Sequence, residues 1–375
     1  MNLHVLYYNE ISKVEWDKRV RSISESTFYH SSTVIDYERI LPNNLENNPF
    51  ILINDNNKSV AVCSSVLRKN SELNINELSS RFPSNSIPAT LLDLTPSERR
   101  KVMDKAYQSI YDYAIENDVK KIEMYRHPVN ISSMNLNLIV SDYIFEPMKY
   151  NFLSTMYNTL LIDLSLNDSV LLGNMSKFHR KHIRKGREKD IKVKVYNKNS
   201  KISTLDEKFE SYRLAHFKSA GKSTRPIETW NAMRDATKNG EATLFISYIE
   251  DIEISYLLCG EFYKVAYGWS QVNVEEFERE YSPRHLLEWE AIMYYKNIGF
   301  SFYEIGERFF NNQLKSYPSE KEFSISVFKE RYGGIIYPKI KWFSYLDKNL
   351  LKQELENGMT SFLDTDDILF KGVKK

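Results

Sequence analysis

Cysteine is scarce: two among 375 residues, Cys63 and Cys259. That excludes a disulfide framework and any cysteine-built zinc site, so no metal is expected. Glycine and proline number only 12 and 11, and no low-complexity or Pro/Gly-rich linker divides the chain. No stretch approaches the roughly 18 consecutive apolar residues of a membrane span. The opening Met1–Glu10 has no basic lead and only a short apolar run, unlike a signal peptide, so a cytoplasmic protein is the expectation. Net charge is +1, which gives no global pull toward nucleic acid or anionic lipid.

Aromatic residues, by contrast, are plentiful. With 25 Tyr and 20 Phe the chain can fill a sizeable core and still line surfaces with rings. Its length suits two domains, expected over residues 1–155 and 156–375 and packed closely enough to leave a cleft between them.

One stretch organises the rest, Gly260 to Gly306. Glu261–Trp269 alternates as a half-buried strand, Gln271–Tyr281 reads as a polar loop, and Ser282-Pro283 opens a helix with a preferred N-cap and a proline at the first helical position. That helix closes at Asn297-Ile298-Gly299, and Phe300–Ile305 is a strand. An earlier unit repeats the order: a helix over Ser97–Asn117, then Asn117-Asp118, then a strand over Val119–Tyr125. Two such units point to α/β class with mixed sheets and to duplication. Asp168–Arg187 reads as one charged helix, and Val327–Tyr332 as a strand followed by Gly333-Gly334 and a last strand over Ile335–Phe343.

Leu161–Ser165 followed by Met175–Gly186, Tyr267-Gly268-Trp269-Ser270, Leu286–Ile292, Gly299–Gly306, and Phe328-Lys329-Glu330-Arg331-Tyr332-Gly333-Gly334 form an ordered set. Together they resemble the FemAB-like acyltransferases. The resemblance implies two tandem GNAT-like modules packed side by side, and transfer of an acyl group to an amine in the seam. One branch of that family uses aminoacyl-tRNA and builds peptidoglycan precursors, often through a long coiled-coil arm. The 195–240 segment here is too short and irregular for heptads, so the acyl-CoA branch is the closer match, with a nucleotide-linked amino sugar as acceptor. A tRNA partner belongs to the alternative, and a third reading is an RNA-binding protein on the same fold. GNAT enzymes grip the CoA pyrophosphate with a glycine-rich loop; Gln271–Arg284 contains no glycine and departs from that pattern.

N-acylation needs an acceptor for the amine proton and a donor for the developing oxyanion. Glu304, at the carboxyl end of a strand, is the candidate base; beside Phe302 its pKa is expected to be raised. His285 is a second candidate for proton relay or anion contact. Ser282, Arg284 and His285 open a helix whose dipole and N–H groups suit phosphate, and they are the candidate CoA contacts. Lys329 and Arg331, two apart on an expected strand, would share a face and suit a diphosphate, with Tyr332 beside them; the same pair also fits an exposed charged edge. Lys177, Arg180, Arg184 and Arg187 form a helical stripe, either a grip on phosphate or a solvated face, and Arg180 and Arg184 are the chosen substrate contacts. Trp269 is a candidate cleft wall, and Tyr29 and His30 would face the other module if the family arrangement holds.

Overall fold

The computed structural model describes residues 1–80, 85–130, 145–310 and 318–363. The first half runs β1 (Leu3–Tyr7), α1 (Lys13–Arg21), α2 (Ser32–Ile40), β2 (Asn44–Asn47), β3 (Phe50–Asn54), β4 (Ser59–Cys63), β5 (Val66–Asn70), β6 (Ile75–Leu78), β7 (Ala89–Thr90), α3 (Pro96–Glu116) and β8 (Val119–Arg126). The second runs β9 (Leu153–Asp163), α4 (Asp168–Asn174), α5 (Lys177–Glu188), β10 (Lys192–Tyr196), α6 (Ile202–Ala220), α7 (Ile227–Asn239), β11 (Ala242–Ile249), β12 (Ile252–Phe262) and β13 (Val265–Asn273). It ends with α8 (Glu275–Tyr281), α9 (Pro283–Asn297), β14 (Phe302–Gly306), α10 (Glu320–Glu330), β15 (Ile335–Tyr345) and α11 (Lys348–Leu363).

The expected mixed α/β class is what forms. A four-stranded sheet has the order β1-β3-β4-β7, and an eleven-stranded sheet the order β10-β11-β12-β13-β14-β9-β15-β8-β6-β5-β2. The two units are alike in their key step. In each, a strand is followed by a long helix and then by a parallel neighbour: β6, α3, β8 in the first and β13, α9, β14 in the second. Both helices end in a left-handed residue, Asp118 (φ 51°) and Gly299 (φ 84°), which turns the chain back onto the sheet. Residues 155 and 156, between which the sequence suggests a boundary, fall inside β9.

β15 does not end the sheet, as its place in the sequence suggests. It lies between β9 and β8, antiparallel to both, and so hydrogen-bonds the two halves together. A seam cluster follows from this: Trp16, Phe28, Ile51 and Val62 of the first half pack with Leu161, Val265 and Tyr267 of the second.

Other local expectations are overturned. Val327–Glu330 is helical, because Ser319 and Glu322 form a reciprocal capping box that starts α10. Gln271–Asn273 completes β13, and α8 replaces the expected loop. Asp168–Arg187 is two helices, split at Met175 because Ser176 accepts the His179 N–H and caps α5. β12 continues to Phe262 and its turn falls at Tyr263 (φ 54°), so Glu261 and Phe262 belong to β12 and not to the strand expected over Glu261–Trp269.

Candidate functional site

β13 and β14 are paired only from Val265 to Tyr267, against Phe302 to Glu304. Beyond that point they part. On its other side β13 carries a bulge: Leu258 opposes Ser270 and Cys259 opposes Gly268, which leaves Trp269 as the extra residue and re-aims it. A cavity of about 310 Å³ occupies the gap. Its walls are rings from both halves, among them Phe28, Tyr29, Tyr37, Tyr125, Tyr157, Tyr267 and Trp269. Its charged lining is Glu304, Glu307, Lys329 and Lys339.

Glu304 is 5% exposed. Thr159 Oγ1 donates to its Oε1 at 2.5 Å, and its Oε2 stands 3.0 Å from His127 Nε2. Burial works to raise the pKa of this carboxyl, but the His127 charge and hydrogen bond, Lys339 and Thr159 outweigh it and hold the group down at about 2. The expected raised pKa is therefore overturned: Phe302 is beside Glu304 in sequence, but His127, Lys339 and Thr159, brought from elsewhere in the chain, decide the balance. A carboxylate has no proton to give, so His127 Nε2–H is the donor.

Lys329 reaches the same cavity from α10. Its Nζ lies 2.5 Å from where a Cβ would stand on Gly306, whose φ of +119° already requires glycine. It makes no hydrogen bond or ion pair with a described residue. Burial and the nearby Arg284 charge lower its pKa, against the pull of Glu288, Glu307 and Glu304. Lys339, by contrast, is paired, its Nζ 2.7 Å from Glu307 Oε1.

The remaining predicted residues scatter. Tyr29 lines the cavity, 5.4 Å ring to ring from His127, and Trp269 lines it too. His30 is buried but lies outside that cavity, against a smaller one behind His127. Arg331 caps α10 and is exposed, so it does not share a face with Lys329; Tyr332 is core, 4.3 Å from the His179 ring. Arg180 and Arg184 are exposed on α5; the first donates to Gly173 and Met175 carbonyls, and the second sits 3.6 Å from Glu188. His285 is buried among His182, His179 and Phe328, and burial lowers its pKa to about 4. It does not line the cavity. Ser282 is left-handed (φ 48°), because α8 ends where α9 begins, and its hydroxyl bonds back to Glu278 O without capping α9. Arg284 lies over the Phe328 ring at 4.4 Å and has no ion-pair partner among the described residues.

Sequence reasoning misses His127, Thr159, Tyr37, Lys339 and Arg225. Arg225 donates to Tyr37 Oη (3.1 Å) and Ser270 Oγ (3.3 Å), and so braces the cavity wall beside Trp269. The one available signal is the repeat. It makes the end of β8, where His127 follows, the counterpart of the end of β14, where Glu304 stands.

No protein-family model matches the sequence, and no curated protein sequence matches it. Solved structures do match in fold. FemX superposes with a TM-score of 0.66 at 14% identity, over 94% of this chain and 99% of that one. The C-terminal domain of a putative lysylphosphatidylglycerol synthetase from Agrobacterium fabrum gives 0.58 at 8% identity, over 93% and 97%. L-PGS from Bacillus licheniformis gives 0.58 at 9%, over 92% and 96%. The fold is that of two GNAT-like units side by side. Among the described residues no helix is long and apolar enough to cross a membrane.

Proposed function

We propose that the chain is an N-acyltransferase whose reaction takes place in the cavity where β13 and β14 part. The observation that carries this is the pairing of a buried carboxylate, Glu304, with a lysine, Lys329, that has no hydrogen-bond or ion-pair partner among the described residues, on the walls of one ring-lined space. An incoming amine bonds to Glu304, which orients its lone pair toward the acyl carbonyl and favours the positive charge that grows on nitrogen. Lys329 donates to the carbonyl oxygen as it gains negative charge. The C–N bond forms, the bond from the carbonyl to the leaving sulfur breaks, and the amine proton ends on the leaving thiolate or on water. With its pKa near 2, Glu304 holds and polarises the amine and does not store the proton.

The donor in this reading is acyl-CoA, with its phosphates toward Ser282, Arg284 and His285 at the start of α9, and the acceptor is a nucleotide-linked amino sugar. Arg284, which has no ion-pair partner among the described residues, and the ring-lined walls support it. The division into units at residues 155 and 156 is part of the same reading. One observation favours a second donor, aminoacyl-tRNA: Lys177 and Lys181 on α5 are exposed, and with Lys185 they have no ion-pair partner among the described residues. Incubation with acetyl-CoA plus a UDP- or dTDP-amino sugar, and separately with charged tRNA, tests both. N-acyl product from the first mixture supports the reading, product from the second alone moves the donor to tRNA, and none from either overturns the transferase.

A further inference from the structure

The first unit contains the counterpart of the β13–β14 gap, and there the gap is closed by the chain itself. Beyond Leu78 the backbone returns along β8. Tyr125 N–H donates to Asn85 O (2.9 Å) and Ile87 N–H to Tyr125 O (3.0 Å). The Asn85 amide bridges the carbonyls of Leu78 (3.2 Å) and Glu123 (2.5 Å). One residue further on, Arg126 Nη2 donates to Glu25 Oε1 at 3.2 Å. Glu25 is itself buried and receives Arg99 Nη1 (3.1 Å), Thr90 N–H (3.1 Å) and Thr90 Oγ1 (2.9 Å). These contacts grip the last residues of β8, and His127 is the next.

His127 must be aimed to reach Glu304 across the seam. A hydrogen bond to a buried carboxylate tolerates displacement of only about half an ångström before it weakens. The segment that would have been the mouth of a second reaction gap therefore serves as a mount. We propose that Arg126, through Glu25, is a positioning residue: it fixes the end of β8 so that His127 meets Glu304 and sets the carboxylate that receives the amine. This rests on the acyl-transfer reading of the cavity. Arg126 touches neither Glu304 nor the cavity that Glu304 lines. Without it Glu25 keeps Arg99 and both Thr90 donors, but Arg99 also serves the buried Glu146 (2.7 Å), so Arg126→Met leaves two carboxylates on one guanidinium, whereas Arg126→Lys keeps the charge balance.

The test compares Arg126→Met and Arg126→Lys with the wild-type protein. The imidazole N–H of His127 is followed by NMR in the substrate-free protein, and kcat and KM are measured with the acetyl donor. The His127 resonance is expected to shift and broaden in Arg126→Met and to keep its position in Arg126→Lys. The kcat is expected to fall about tenfold in the Met variant with donor KM unchanged, and to recover at least half in the Lys variant. An unchanged His127 resonance in Arg126→Met overturns the proposal, and so does a moved resonance with wild-type kcat. If the wild-type protein transfers no acyl group from any donor, the transferase reading fails, while the resonance alone still decides whether Arg126 holds His127.

Discussion

His127 and Glu304 stand 3.0 Å apart, though 177 positions separate them along the chain. One follows the last strand of the first unit, and the other lies on the matching strand of the second. The bond closes the seam at the point where the cavity begins, and most of the expected behaviour of the protein follows from it.

Glu304→Gln keeps the shape and loses the charge. Turnover at saturating substrate is expected to fall by about 10² or more, the usual range for a group that handles the proton-bearing reactant. Steady-state kinetics with both substrates measures it. Wild-type kcat in this variant would remove Glu304 from the mechanism.

The depressed pKa of Glu304 has a consequence in acid. Its folded value lies below the ordinary carboxyl value, so the unfolded chain takes up its proton first. The stabilisation is complete above about pH 4.5 and is lost as pH falls toward 2. It amounts to about 3 kcal/mol if the whole shift is realised. Urea unfolding across pH 5 to 2.5 should show a steeper loss for the wild type than for Glu304→Gln; equal slopes would mean that Glu304 titrates normally.

Gly306→Ala probes the lysine. A methyl group there meets Lys329 Nζ, and the backbone at φ +119° resists any side chain. The expected result is about 1–3 kcal/mol of destabilisation, together with a kcat loss as the ammonium is pushed aside. Melting temperature and turnover separate the two effects. A variant that is destabilised but turns over normally would place Lys329 outside the reaction.

A small cavity of about 20 Å³ lies behind His127, lined in part by His30, Glu25 and Arg126. Burial lowers the His30 pKa to about 4, so the ring is neutral at ordinary pH. Its Nδ1 accepts the Thr27 N–H, which puts the proton on Nε2; that nitrogen faces the Ile87 backbone without a well-formed hydrogen bond to a described residue. The space exceeds the roughly 10–15 Å³ that one water needs. A high-resolution crystal structure is expected to show an ordered water bonded to His30 Nε2; a dry cavity would contradict the tautomer.

The helices over Pro96–Glu116 and Pro283–Asn297 are legible in the sequence because each has a proline start and an apolar face that repeats at helical spacing. Glu304 is legible because a carboxylate at a strand end before glycine is a local pattern. His127 is not, since nothing within a few residues of it encodes a partner 177 positions away. Lys329 is found as a residue but not as geometry. Val327-Phe328-Lys329-Glu330-Arg331 mixes apolar and charged residues much as an edge strand does, and the Ser319/Glu322 cap that makes it helical lies eight residues upstream of Val327. The charge state of Glu304 depends on His127, Thr159 and Lys339, which reach it only once the sheet has closed.

The placement of β15 bears on how the protein is made. Until residues 335–345 leave the ribosome, β8 and β9 each expose one long side with unsatisfied peptide groups, the kind of border to which stray chains adhere. The first half can collapse early, but the β8–β15–β9 junction to the second cannot form before residues 335–345 are made. A nascent chain stalled before residue 335 would be a sticky intermediate, and a chaperone that shields those two borders would raise the yield of the finished protein.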